Sequence, residues 1–250
     1  MPIRRRTERI VAALAGAVML AGCNGASNEK AASEERPPLG LFTTLPIYWG
    51  EVRDVTAMLD TGAAPHWART ALEEDYRLVP LDVLTPQTLA DVDRLLLAQP
   101  RALAPEENVA LDTWVRDGGE VLVLADPMLV QESAFPIGDK RRPQDVVLLS
   151  PILARWGLDL RFDERQGEAE RTVTSDGIAL PVAMAGLLVP RPPAGGQGQC
   201  TVGVAGLIAS CAIGDGRAVV VADADLLDQR RNSATSREAL SALTERAFAD

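Results

Sequence analysis

Residues 91–127 read DVDRLLLAQPRALAPEENVALDTWVRDGGEVLVLADP, and this stretch decides the fold. Val92 to Ala98 ends in an unbroken apolar run, the pattern of a strand buried on both faces. Pro105 to Asp117 has helical periodicity. Pro105 suits the first turn, where its missing N–H costs nothing, and Glu106 and Glu107 suit the positive end of the helix dipole. Val109, Ala110, Trp114 and Val115 fall on one stripe. Gly118 and Gly119 end the helix, because glycine takes the left-handed conformation that a C-cap requires. Glu120 to Ala125 is a second buried strand. Strand, helix and strand at this spacing make a βαβ crossover, which implies a parallel sheet with helices on both sides.

The flanks extend the same alternation. On the amino side, Leu39 to Thr44 reads as a first strand and Leu45 to Glu51 as a loop carrying Tyr48 and Trp49. Val52 to Leu59 is a short helix or an irregular segment, His66 to Asp75 a helix, and Tyr76 to Leu81 a strand. Thr85-Pro86 opens a short turn or helix. On the carboxyl side, 126–149 is poor in regular signals and contains Lys140, Arg141 and Arg142, read as a solvated basic turn. Leu149 to Trp156 is a helix closed by Gly157, followed by a strand over Leu158 to Phe162. Short β-like runs fill 164–197. Gln199 to Val204 and Leu207 to Ile213 pair as a hairpin around Gly206. Arg217 to Ala222 is a last buried strand and Ser236 to Ala249 a final helix, with Trp114 and Trp156 read as core. The expected architecture is an α/β domain over 39–250 with a mostly parallel sheet and a small β-rich appendage over about 164–213.

The amino terminus carries a different kind of information. Arg4, Arg5, Arg6 and Arg9 precede an apolar run from Ile10 to Met19, the length of a signal core and too short for a membrane span, which needs about 20 residues. Leu20-Ala21-Gly22-Cys23 then resembles a bacterial lipobox, so 1–22 reads as a lipoprotein signal and Cys23 as the lipidated new terminus. Residues 23–38 are small, polar and proline-ended, a flexible tether. The expected location is the periplasmic side of a bacterial envelope. Asn24 slightly favours the outer membrane over the inner one.

Charge narrows the partners. The 250 residues hold 25 basic and 35 acidic side chains. Loss of Arg4, Arg5, Arg6, Arg9 and Glu8 with the signal leaves 21 against 34, a net charge of −13. Such a surface disfavours nucleic acid and flat adsorption on anionic lipid, so attachment rests on acyl chains. With Cys23 lipidated, Cys200 and Cys211 remain, a disulfide pair in an oxidising compartment or else two buried thiols in a hairpin. With His66 the only histidine, no metal set is expected.

With these residues in view, a family resemblance is visible. Asp91 to Pro127 resembles the periplasmic domain of the gliding-motility-associated, GldG-like ABC transporter auxiliary proteins, where "vDvLll…p…lseee…aldqyv…GGkvlvlvDP" recurs. Gly214 to Leu227 (GDGRAVVVADADLL) is similar to their "G.Grvvv.gDad" ending, which class I glutamine amidotransferase-like folds share. The resemblance implies a three-layer α/β/α sandwich with a flavodoxin-like sheet. It also implies accessory work for an ABC-type transport system, with transporter subunits as partners. Relatives usually carry transmembrane helices. Here a lipid anchor stands in their place.

Three kinds of chemistry bear on these residues. A Cys-His-Glu triad needs a thiolate on a strand-to-helix turn and a histidine in reach; Cys200, Cys211 and His66 do not provide this, so no catalytic residues are expected. Gly195, Gly196 and Gly198 do not sit between a strand and a helix, so no phosphate cradle and no cofactor is expected. The carboxylates are more informative. Asp126 follows one buried strand, and Asp223 and Asp225 follow another, so all three could share the edge where open parallel sheets bind ligands. They could bind a ligand or cation, act as acid and base, or cap the next turn through their side-chain oxygens. Tyr48 and Trp49 reach the same edge and could complete a binding surface or pack over the sheet end. The reading is a non-catalytic accessory or binding protein; an envelope hydrolase using Asp126, Asp223 and Asp225, or a structural envelope lipoprotein, are the alternatives.

Overall fold

The computed structural model describes residues 36–51, 64–194 and 198–249, within a compact unit over Arg36–Asp250. The signal, Cys23, most of the tether, Val52 to Leu59 and the glycine tip at 195–197 lie outside the described residues.

Eleven strands are described: β1 (Pro38–Thr43), β2 (Arg77–Pro80), β3 (Arg94–Ala98), β4 (Glu120–Leu124), β5 (Leu158–Arg161), β6 (Arg171–Ser175), β7 (Ile178–Val182), β8 (Leu187–Pro190), β9 (Gly198–Val202), β10 (Ile208–Ile213) and β11 (Gly216–Val221). The described α-helices are α1 (Trp67–Asp75), α2 (Pro86–Leu89), α3 (Pro105–Arg116), α4 (Ser150–Trp156) and α5 (Ala234–Phe248). The central sheet has the order β2-β1-β3-β4-β11-β10-β9. Its first five strands are parallel, in the order of a flavodoxin-like doubly wound sheet, and β10 and β9 continue it antiparallel.

The apolar runs explain this centre. Leu95, Leu96, Leu97, Val121, Leu122, Leu124, Val220 and Val221 are buried, on both faces of their strands. In register, Leu96 lies beside Leu122, and Leu122 beside Val219. The β1-α1-β2 and β3-α3-β4 crossovers step in opposite directions along the sheet. Right-handedness therefore puts α1 and α3 on opposite faces. α5 joins α1, while α2 and α4 join α3, completing the three layers. Local chemistry sets the helix ends. The His66 imidazole accepts from the Ala68 amide, Thr85 and Thr88 form a reciprocal box around α2, and Ser233 accepts from the Ser236 amide. Gly157, at φ 96°, closes α4 in the left-handed conformation.

Three expectations need correction. The tether reaches only to the start of β1, since Pro38 is its first residue, a position where no ladder N–H is required. The β-rich region is not one appendage: β5 pairs with β8 and β6 with β7 in two small sheets, but β9 and β10 extend the central sheet. The tight turn at Gly214-Asp215 lays β10 along the free edge of β11, whose valines would otherwise be uncovered there. Trp114, unlike the fully buried Trp156, is half-buried.

A polar knot holds α3 against α4. The Asp112 carboxylate, buried at 3% exposure, accepts from Arg116 Nε (2.9 Å), from Trp156 Nε1 (3.1 Å) and from Arg155. The two guanidinium groups and burial pull its pKa in opposite directions, and the net result is a value below the ordinary carboxylate range.

Cys200 and Cys211 face each other across β9 and β10 and are joined by a disulfide, with Cα atoms 4.0 Å apart. The cross-link closes a segment with a sequence separation of 11. Its reduction should lower the unfolding free energy by roughly 3 kcal/mol, the loop-closure entropy for such a length. Urea unfolding of oxidised and reduced protein measures this; identical midpoints would show that the pair is not bonded in solution.

Candidate functional site at the carboxyl edge of the sheet

Where β3, β4 and β11 end, their backbones leave the hydrogen-bonded ladder inside the protein and need other partners. Gln99, immediately after β3, has φ 43° and is completely buried. Its Oε1 accepts from the Asp126 amide (2.8 Å), and its Nε2 donates to the Asp126 carbonyl (3.0 Å) and the Gln144 carbonyl (2.7 Å). This amide clamps the end of β4 and the return of the 126–149 loop.

Asp126 is fully buried. Its Oδ1 accepts from the Met128 amide (2.8 Å) and its Oδ2 from the Ala224 amide (3.2 Å), so it joins the turn after β4 to the turn after β11. Asp223 accepts from the Leu226 amide (3.3 Å) and from the Ala183 amide (3.3 Å), reaching the end of β7. Asp225 accepts from the Val130 amide (3.5 Å) through Oδ2, and its Oδ1 has no hydrogen-bond partner. One carboxylate oxygen from each of the three acids lies within 4.8 Å of the others. The structure places the three acids together at one sheet edge, where each also accepts from a backbone amide.

Charge makes this cluster costly. Burial pushes Asp126 up to about 7, with a further push from Asp225. Asp223 is raised well above the ordinary carboxylate range by burial and by its two neighbours, and burial raises Asp225 to about 6 against the pull of Arg231. The nearest cation is Arg231, with Nη2 3.9 Å from Asp225 Oδ2 and Nε 3.4 Å from Glu170. The protonated forms can donate as well as accept, and neutralising one carboxyl removes two of the trio's three pairwise repulsions.

The 128–133 loop, whose Met128 and Val130 amides meet the cluster, lines a groove of about 530 Å3 together with Arg142, Glu168 and Met184. The Gln131 Oε1 atom there is buried without a partner. Tyr48 and Trp49 do not line this groove. Tyr48 lies under the Arg69 guanidinium, 4.4 Å from its ring centre, and meets Trp49 edge-on; Trp49 is 76% exposed. Their loop is tied to the same edge by Glu51, which accepts from the Ala134 amide (2.8 Å). His66 is the buried cap of α1, with a pKa lowered to about 4 by burial. Arg141 and Arg142 of the basic turn pair with Asp139 and Asp145. Nothing in the local sequence pattern around Gln99 or Arg231 marks either as a site residue.

A family model described as ABC-type uncharacterized transport system matches residues 36–174, more than half of the chain. The chain belongs to this family. The family match runs from before β1 into β6, so it contains Gln99 and Asp126 and ends before Asp223 and Asp225. No curated protein matches the family member described here. Among solved structures, the mmIFT52 N-terminal domain is similar over 86% of this chain and 98% of its own, with a TM-score of 0.53 and 12% identity. An exo-beta-1,4-mannosidase from Opitutaceae bacterium strain TAV5 is similar over 89% of this chain at TM-score 0.46 and 14% identity. The chain spans only 38% of the mannosidase. The likeness to the mmIFT52 domain speaks for the α/β fold and for nothing beyond it.

Two measurements probe the site. The raised pKa values of Asp126 and Asp225 mean that the folded chain binds more protons than the unfolded chain between the ordinary 3.8 and about 7, so this contribution to stability is lost as pH rises through that window. Asp126→Asn removes one titration. It should be the less stable protein at pH 5 and gain on the wild type by about 1–3 kcal/mol by pH 8, as urea unfolding at both pH values would show. Because His66 titrates in the opposite sense, only the difference between variant and wild type is diagnostic. A deficit that is constant with pH would mean that Asp126 is ionised in the folded state. Gln99→Ala takes this partner from the Asp126 N–H and the Gln144 carbonyl, while the Asp126 carbonyl keeps the Val147 amide, and should cost roughly 2–4 kcal/mol by the same assay; a loss below the measurement error would remove the clamp from the account.

Proposed function

We propose that this chain is a lipid-anchored, non-catalytic accessory protein of an ABC-type transport system, GldG-like in kind. In this reading it hangs from Cys23 on the periplasmic side of a bacterial membrane, the outer one slightly favoured. The observation that carries the transport association is the family match over 36–174. The lipobox-like Leu20-Ala21-Gly22-Cys23 supports the anchor, and no described helix is long and apolar enough to cross a membrane. The non-catalytic part is supported by where the buried acids spend their oxygens. Both oxygens of Asp126, both of Asp223 and one of Asp225 accept from backbone amides. Groups committed in this way serve the strand ends first.

One observation favours a hydrolase instead: Asp126, raised to about 7, stands beside Asp225, raised to about 6, a pairing of the kind used for acid and base work near neutral pH. The complete burial of all three acids counts against it, since a substrate cannot reach them without moving the chain around them.

The anchor is tested by expressing the full chain in a bacterium with labelled palmitate. Wild type should carry label and Cys23→Ala none; a labelled variant would overturn the anchor. Transport association is tested by cross-linking in native membranes and detergent purification of the tagged chain. An ABC ATPase or permease should accompany it, and a chain that brings neither would overturn the reading.

A further inference from the structure

At the opposite end of the sheet, α2, α3 and the loops entering β3 and β4 enclose an apolar groove of about 810 Å3. Leu89, Val92 and Ala110 are buried in its floor. Trp114 forms a wall: its Nε1 donates to the Val92 carbonyl (3.2 Å), and its ring lies where a side chain on Gly119 would have to go, 2.5 Å from the position of such a Cβ. Val109 stands over this floor on α3, 67% exposed.

The groove is held open by its own frame. Glu107 is buried at 6% exposure and accepts from the Leu84 amide (3.1 Å), the Ala104 amide (2.8 Å) and both terminal nitrogens of Arg101 (2.7 Å each). This pairing holds its pKa down at about 2 and ties the entry of α3 to the segment before α2. A cleft fixed in this way needs little reorganisation to receive a partner.

The lining selects the partner by charge. It includes three exposed carboxylates, Asp93, Glu106 and Asp117, and no lysine, arginine or histidine. An apolar floor between two helices with an acidic rim fits one kind of occupant. We propose that this groove docks an amphipathic helix of a partner protein, with an apolar stripe seated against Trp114 and Val109 and lysine or arginine residues on its flanks facing Asp93, Glu106 and Asp117. The inference rests on this groove alone and not on the transport reading; it would stand for any partner that carries such a helix.

The test uses the purified full chain and two fluorescein-labelled 16-residue peptides. One carries leucine on one helical stripe and lysine beside it; the other has glutamate in place of every lysine. Anisotropy titration should show binding of the lysine peptide and none of the glutamate peptide. Val109→Glu should weaken the lysine peptide at least tenfold, even though it adds a negative charge. Thr113→Glu, also exposed on the groove lining, is the second variant, and both must melt within a few degrees of wild type. Equal binding to wild type and to both variants would mean diffuse adsorption on an acidic surface and would overturn the proposal. So would equal binding of the glutamate peptide. A wild-type dimer that Val109→Glu splits would also overturn it, by showing that a second copy fills the groove.

Discussion

Backbone groups that leave a sheet inside a protein must find partners, and this constraint organises the carboxyl edge of the molecule. β3, β4 and β11 are buried on both faces, so the amides just beyond their ends cannot turn to water. Gln99 supplies a donor and an acceptor to the backbone of Asp126 at once. Asp126, Asp223 and Asp225 then receive amides from three segments: the loop after β4, the turn after β7 and the turn after β11. The acids are close together because the turns they serve converge.

That convergence opposes electrostatics. Three ionised carboxylates in a dry edge with one arginine would repel strongly, and the raised pKa values of all three are the response. The protons let the acids act as caps without their full charge. The same arrangement makes the edge sensitive to pH in a range where ordinary carboxylates are silent. This explains the proximity of the acids from the backbone's needs alone.

The layered α/β plan was legible because it rests on local patterns. The runs at 92–98, 120–125 and 217–222, the capped helix at 105–117 and the glycines after it are one-dimensional signals of burial and period. The sheet-edge placement of Asp126, Asp223 and Asp225 followed, since a residue just after a parallel strand must stand at its carboxyl end. Gln99 was not legible: its role depends on a positive φ and on an amide that meets Asp126 only when β3 and β4 lie side by side. The course of β9 and β10 was half legible. Their pairing, with Cys200 opposite Cys211, is local, but their joining of the central sheet depends on a free edge of β11 that no short β-like run reveals. Trp114 looked like core because helical spacing does not say whether a neighbouring helix is long enough to cover a ring; α2, four residues over Pro86–Leu89, is not.

The two ends of the sheet divide the work between structure and contact. At the carboxyl edge, five of the six buried carboxylate oxygens accept from backbone amides, two of them from Met128 and Val130. At the amino edge, the caps of α2 and α3 satisfy their own amides, with Thr88 and Glu107 reaching back to the chain before each helix. Val109 stays exposed there, Trp114 keeps its Nε1 on the Val92 carbonyl, and Asp93, Glu106 and Asp117 are exposed around them. An apolar surface left over by such complete local capping is free to be used by a partner. In a family described by a transport system, an exposed apolar surface of this kind offers a place for contact that the buried carboxylates do not.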